Sequence, residues 1–490
     1  MCQQKQPIMQ GISKTVSKLK NWKQKAIERR RKIDALQKRQ KELTASREGW
    51  KQKYKAVKAE NLDLIHQNHI LQKRIAVLEK ADNLVEDKPR NHSYGSMLML
   101  MLLQMRMQGN ISLRGCLATM KIVSLVLGIE LRLPCASTLL NWEKKLGLDR
   151  LNTPSESCSD WAIILDESIS IGPEKLLLTL GVDLSVYEFG QALNFSDVNV
   201  LDMAIASSWK GLDISERLAD LKEDSSIVYG VTDGGTNLVK ALKESDLDRV
   251  SDCTHAIGNL LKKQYNNCAN FQAFSKQCGV LKRQVQLGQY AEYAPPKQRT
   301  KGRFLNLQAL SNWAFKLLKI LDSKTDLPDE IKQKLEWLKE YESLIKEIHQ
   351  QCRLMNRLFS ILKTKGLNND TQKECLDLLE KEKCPDVFRK GVEQYLSENV
   401  VLLNQKQSLI CCSDIIESYF GKYKYINAKS GQSLITDACL CLANFNPNFG
   451  KKEVKKAMEN VKIIDLKQWK EQNCSDSILK KKKKLFKNTG

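Results

Sequence analysis

The chain has 490 residues, enough for two to four units of ordinary domain size, and its 42% hydrophobic and 7% aromatic content excludes a disordered protein. A net charge of +22, clustered toward both ends, makes a polyanion the expected partner, with nucleic acid first among polyanions. Fifteen Cys without a C-x-x-C pair, and only five His, exclude zinc ribbons, C2H2 fingers and a disulfide framework, so reduced thiols are expected.

Residues 13 to 82 contain no Pro and carry a heptad. Leu36, Leu43, Trp50, Val57, Leu64, Leu71 and Leu78 form the d column, and Ile33, Gln40, Arg47, Tyr54, Asn61, Asn68 and Ile75 the a column. This predicts a coiled coil and a homodimer or higher oligomer, with Asn61 and Asn68 favouring parallel, in-register pairing. The run Arg29-Arg30-Arg31-Lys32 either meets phosphates or is solvated. Residues 83 to 94 read as a linker with Pro89 and Asn91 as punctuation. Residues 95 to 150 read as a helical module. The run Met97–Leu103 is too short to span a bilayer and predicts a buried helix, so no membrane association and no leader are expected. Leu133–Leu148 is either the second helix of a helix-turn-helix, with Ser137, Thr138 and Asn141 facing DNA, or an ordinary packing helix.

From Trp161 the period changes. WAIILDESISI, KLLLTLGVDLSV and a run around YEFGQALNF predict three strands, followed by a helix over 200–219, the strand SSIVYGVTDGG and a helix over 236–243. That order predicts an α/β RNase H-like core, with residues 158–262 as its first part. Residues 263–400 predict an all-helical insertion, 401–445 the final part of the core, and 446–490 a basic C-terminal tail ending in Lys480–Lys484, either solvated or a DNA-binding arm.

Asp166 ends the apolar run Ile163-Ile164-Leu165, and Asp233 closes Val228–Thr232 before Gly234-Gly235. A carboxylate at the end of a buried strand is costly unless a metal or hydrogen bonds compensate. Phosphodiester chemistry uses two divalent ions about 4 Å apart, and hard ions such as Mg²⁺ or Mn²⁺ take carboxylate oxygens. The competing explanation for either Asp alone is a turn or helix cap.

Asp252-Cys253-Thr254-His255, a short way after Asp233, resembles the C/D-x-x-H motif of hAT-type DDE transposases. Ser413–Gly421 resembles the helix that carries the third acid in that superfamily, here Glu417. The interval between them is similar to the family's helical insertion, and Arg303-Phe304-Leu305-Asn306 to its R-W-N-S segment, with Phe304 in place of Trp and Trp313 as a weaker substitute. The coiled coil and helical module stand where eukaryotic members have a BED finger, as in a bacterial insertion-sequence transposase.

The resemblance covers about residues 160 to 440. It implies cut-and-paste transposition: hydrolysis at the element end, then attack of the freed 3′-hydroxyl on target DNA. Asp166, Asp233 and Glu417 would hold two Mg²⁺ or Mn²⁺ ions, with His255 near the scissile phosphate. Asp252, Arg303, Lys422 and Lys424 are expected near DNA, that is, transposon ends and target, with a solvent-facing place on the helix as the alternative for Lys422 and Lys424. Asp414, one turn before Glu417, competes as third ligand. Glu167 points to the opposite strand face, and Asp183 is either a ligand or a turn residue. The alternative function is a catalytically inactive DNA-binding or architectural protein. The setting is the cytoplasm or nucleoid in a bacterial host and the nucleus in a eukaryotic one.

Overall fold

The computed structural model describes residues 6–79, 87–128, 131–153, 160–171, 173–297, 307–323, 327–403, 408–427, 434–476 and 478–487. The chain divides into two units, residues 1–85 and 86–490.

The first unit contains one unbroken helix, α1 (Gln6–Glu79). At 1.5 Å per residue its 74 residues run about 110 Å. Gly49 sits inside it with open space around its Cα, so the helix tolerates the residue at the usual propensity cost. The heptad residues Leu36, Leu43, Trp50, Val57, Leu64 and Leu71 are all about half exposed or more. Residues 80–82 of the expected coiled coil lie outside the described residues.

The second unit opens with helices α2 (Ser96–Met107), α3 (Leu113–Leu127) and α4 (Ala136–Asn152). Ser112 caps α3 by accepting the Gly115 amide at 3.0 Å, and Gly128 ends it in the left-handed conformation that glycine adopts without strain. The sheet elements follow: β1 (Trp161–Ile171), β2 (Glu174–Asp183), β3 (Asn199–Ala206), α5 (Gly211–Asp224), β4 (Ile227–Thr232), α6 (Thr236–Glu244), β5 (Asp248–Ser251) and α7 (Cys253–Tyr265). Six helices come next: α8 (Ala269–Val285), α9 (Leu307–Asp322), α10 (Asp329–Leu335), α11 (Glu342–Lys365), α12 (Asn369–Lys381) and α13 (Asp386–Val400). The chain then forms α14 (Asp414–Asn427), the 3-10 segment Asp437–Asn444, α15 (Lys451–Asn460), α16 (Ile463–Asn473) and α17 (Ile478–Lys487).

The five strands lie in the order β3-β2-β1-β4-β5. β1 pairs antiparallel with β2, and β2 with β3, while β1–β4 and β4–β5 are parallel. Strand alternation sorts the side chains onto two faces. Trp161, Ile163 and Leu165 pack with Ile214 and Leu218 of α5 and Leu238 and Leu242 of α6. Ala162, Ile164, Tyr229 and Val231 face the other way, into a larger core shared with Ile257 and Leu261 of α7 and Ile416 and Tyr419 of α14. The helical interval extends that same core. The chain returns from it to the sheet through 408–413, where the Ile410 amide donates to the Tyr229 hydroxyl at 2.8 Å and the Cys253 amide to the Cys411 carbonyl at 2.8 Å.

Three expectations are corrected. The third strand is Asn199–Ala206, paired to β2 through Leu178↔Met203, and not the run around YEFGQALNF. That run is a turn region in which Gly190 takes a φ of 142° and Tyr187 stacks edge-on against Phe189. The helix expected from residue 200 therefore begins at Gly211. A short fifth strand, β5, was missed. Residues 446–473 are not a tail: Val454, Ala457 and Met458 of α15 bury against Met99, Leu102 and Trp142 in the helical module's core.

Among the described residues no helix is long and apolar enough to cross a membrane.

Candidate active site

Asp233 directly follows the end of β4, and Asp166 lies midway along β1, just past the last pair of the β1–β4 ladder. The parallel register Ile164↔Val231 puts each Asp two residues beyond its paired strand neighbour, so both continue the face occupied by Ile164 and Val231. Asp233 accepts the Gly235 amide at 2.8 Å, a turn that leads directly into α6. Arg249 of β5 fixes the same strand end, donating from Nε to the Thr232 hydroxyl and from Nη2 to the Asp233 carbonyl, each at 3.1 Å.

The next parallel strand, β5, delivers α7 to this edge. Asp252 is its N-cap and is 1% exposed. Its Oδ1 accepts the His255 amide at 2.6 Å and lies 3.0 Å from His255 Nδ1. Its Oδ2 accepts the Ser413 amide at 2.6 Å and the Ser413 hydroxyl at 2.8 Å. One buried carboxylate thus orients His255 and tethers the residue immediately before α14. Ser413 and Arg249 were not singled out in the sequence; a hydroxyl residue directly before a helix is the signal that marks Ser413.

α14 packs against β1, and Glu417 is exposed in its first turn. Asp414 forms an ion pair with Lys363 of α11. Glu167 faces away from Asp166 as alternation requires, meeting Lys175 at 3.0 Å and Asn237 of α6 at 3.1 Å. Asp183 is the last residue of β2 and accepts the Ser185 amide of the following turn at 2.9 Å.

Burial raises the Asp166 carboxyl to about 7, and the negative charges of Asp233 and Glu417 add to the rise, while His255 opposes it. The hydrogen bond to Asp252 raises His255 to about 9, assisted by the charges of Asp252, Asp233 and Glu417. Asp166, Asp233, Glu417 and His255 therefore share one electrostatic neighbourhood, in which the acids repel one another and the imidazolium is favoured at neutral pH. With His255 Nδ1–H directed at Asp252, its Nε2 is the nitrogen left for a ligand.

A second acidic group lies close by. Asp252, Cys412 and Asp414 bring possible metal-binding atoms within 4.8 Å of one another. Both Asp252 oxygens already accept hydrogen bonds and Asp414 has Lys363, so protein groups neutralise this trio.

The expected DNA contacts fall into three groups. In the first turn of α4, Ser137 is exposed while Thr138 and Asn141 are half-buried; the Cys135 thiol lies 3.0 Å from the Ser137 hydroxyl and 3.1 Å from that of Thr138. The rest of α4 is a packing helix, with Leu139, Trp142 and Leu146 buried. Lys424 is exposed. Asp252 is buried with both oxygens engaged, and Lys422 is held over the rings of Phe195 and Phe445, 4.7 and 4.6 Å from their centroids. Arg303 and Phe304 lie outside the described residues, and Trp313 donates its indole N–H to the Tyr293 carbonyl at 3.1 Å.

No protein-family description matches the chain, and no curated protein does. Among solved structures it is similar to the Drosophila P element transposase strand transfer complex, at 14% identity over 81% of this chain and 99% of that one. The TM-score is 0.39.

Proposed function

We propose that the protein is a DNA transposase that cleaves DNA and transfers strands with the help of divalent metal, on an RNase H-like core. The observation that supports this reading is the strand register that puts Asp166 and Asp233 on one face of the sheet, where the charges of Asp233 and Glu417 add to the rise of the Asp166 carboxyl. The donor set is all carboxylate oxygen, which suits Mg²⁺ or Mn²⁺, and a buried acid raised by its neighbours is one that a cation would relieve. Asp166, Asp233 and Glu417 would hold the metal. When bound, it would make water or a 3′-hydroxyl a better nucleophile and stabilise the leaving oxygen.

The chain's own groups do the remaining work. Arg249 and the turn at Gly235 fix the end of β4, and so the place of Asp233. Asp252 holds the His255 ring, leaving Nε2–H of the imidazolium as a donor to a phosphate oxygen. Asp252 also holds Ser413, which sets the start of the helix bearing Glu417. The exposed end of α4 and Lys424 supply contacts to the DNA backbone or bases.

The test is incubation with Mg²⁺ or Mn²⁺ and a duplex carrying the flanking ends of the protein's own coding region. Nicked or joined products are expected from wild type and not from Asp233→Ala. Equal activity in the two proteins overturns the proposal in favour of a non-catalytic DNA-binding protein.

A further inference from the structure

The first unit carries a strongly cationic segment that the proposed reaction does not use. Between residues 14 and 32 the sequence has nine Lys or Arg and one acid, Glu28. The heptad begins at Ile33 and Leu36. In the structure the two segments are one helix: α1 runs from Gln6 to Glu79 without a break at their junction. Arg29 takes the d position one heptad before Leu36, so charge interrupts the apolar column where the basic segment starts.

Each half lacks a partner of opposite kind. Leu36, Leu43, Trp50, Val57, Leu64 and Leu71 line one seam and are about half exposed or more, and α1 is the only element of its unit among the described residues. A seam of that kind is buried by a second copy of the same seam. Asn61 and Asn68 at successive a positions select parallel, in-register pairing, which brings both basic segments to the same end. An antiparallel pair would separate them by most of the helix. The basic segment has no acidic helix face opposite it within α1; its complement is a polyanion.

We propose that two copies of α1 zip through residues 33–78 and that their basic segments, residues 14–32, fork across the major groove of duplex DNA. Nineteen helical residues extend about 28 Å, longer than the roughly 12 Å width of the groove. The assignment does not depend on catalysis, so it stands or falls separately from the metal-dependent reaction.

The experiment uses the full chain in EDTA, with a 30-base-pair duplex and binding followed by fluorescence anisotropy across a salt series. Arg29→Ala/Arg30→Ala/Arg31→Ala/Lys32→Ala keeps helix propensity and removes four cations per chain. Each lost phosphate contact lowers the slope of log K against log salt by about 0.9, so a fall of roughly 3 to 7 is expected, with at least a tenfold loss of affinity near 0.15 M salt. An unchanged slope overturns the proposal. Val57→Asp/Leu64→Asp leaves the basic segment intact. It is expected to turn a sedimenting dimer into a monomer and to lose a comparable part of the slope. A variant that stays dimeric, or a monomer that keeps the wild-type slope, also overturns it.

Discussion

The Asp252 carboxylate lies 3.0 Å from His255 Nδ1 through one oxygen and accepts the Ser413 amide at 2.6 Å through the other, and Asp252 and Ser413 are 161 positions apart in the chain. The helical interval therefore leaves the sheet and returns to it within one hydrogen-bonded cluster. This cluster sets the ring of one candidate catalytic residue and the helix of another.

The pair makes His255 a strong base. Without added metal, its ring is expected to titrate near 9 by NMR, and Asp252→Asn should bring it down toward the ordinary value of 6.5. Because the folded value is raised, the stabilisation is complete below 6.5 and is lost as pH rises through about 9. Urea midpoints should accordingly separate wild type from Asp252→Asn more at pH 6 than at pH 10. A ring that titrates at 6.5 in wild type removes this account of the motif.

Asp166 carries the opposite competition. Its carboxyl is raised to about 7 by burial and by Asp233 and Glu417, so protons compete with metal there. Mn²⁺ binding followed by electron paramagnetic resonance should strengthen between pH 6 and 8. Asp233→Asn removes a repelling charge and a ligand together, weakening binding while flattening its pH dependence. Binding that is equally tight at pH 6 and 8 contradicts this arrangement.

Gly147 lets α4 approach the 3-10 segment. A Cβ there would sit 2.0 Å from the Leu440 carbonyl oxygen, a backbone atom that cannot swing aside. Gly147→Val should cost about 3 kcal/mol or more by denaturant unfolding. A loss under about 1 kcal/mol would show that the two elements are not packed this closely.

Lys422 and Lys424, two residues apart, should behave differently. Lys422→Ala removes a cation from between two rings and should cost roughly 1 to 2 kcal/mol of stability without changing the salt dependence of DNA binding. Lys424→Ala is expected to leave stability alone and weaken DNA binding. Swapped outcomes would reverse the two roles.

How far the sequence discloses this molecule depends on how local the determining physics is. β1 is legible from its apolar run up to Asp166 and β4 because its apolar run is closed by Asp233 and a turn, and the α1 heptad because its period persists for six turns of the pattern. β3 is not: NVLDMAIA supports helical and strand spacing alike, and only its ladder with β2 decides. The aromatic run Tyr187–Phe195 has strand composition yet closes a turn. Asp252 and Ser413 are visible as capping residues, but their bond across 161 positions is a tertiary fact. The fate of residues 446–473 depends on a hydrophobic face on α2 that lies far away in sequence.

In the proposed function, three carboxylates, from β1, from the residue after β4 and from α14, act together on DNA. The most direct measurement is Mg²⁺-dependent nicking of the end-bearing duplex by wild type and by single Ala variants of Asp166, Asp233, Glu417 and Asp414. The account predicts that each of the first three loses activity by at least a hundredfold, while Asp414→Ala, whose side chain pairs with Lys363, retains most of it. Activity that survives loss of Glu417 and disappears with Asp414 would contradict the assignment. Activity that survives loss of Asp166 or Asp233 would contradict the site itself.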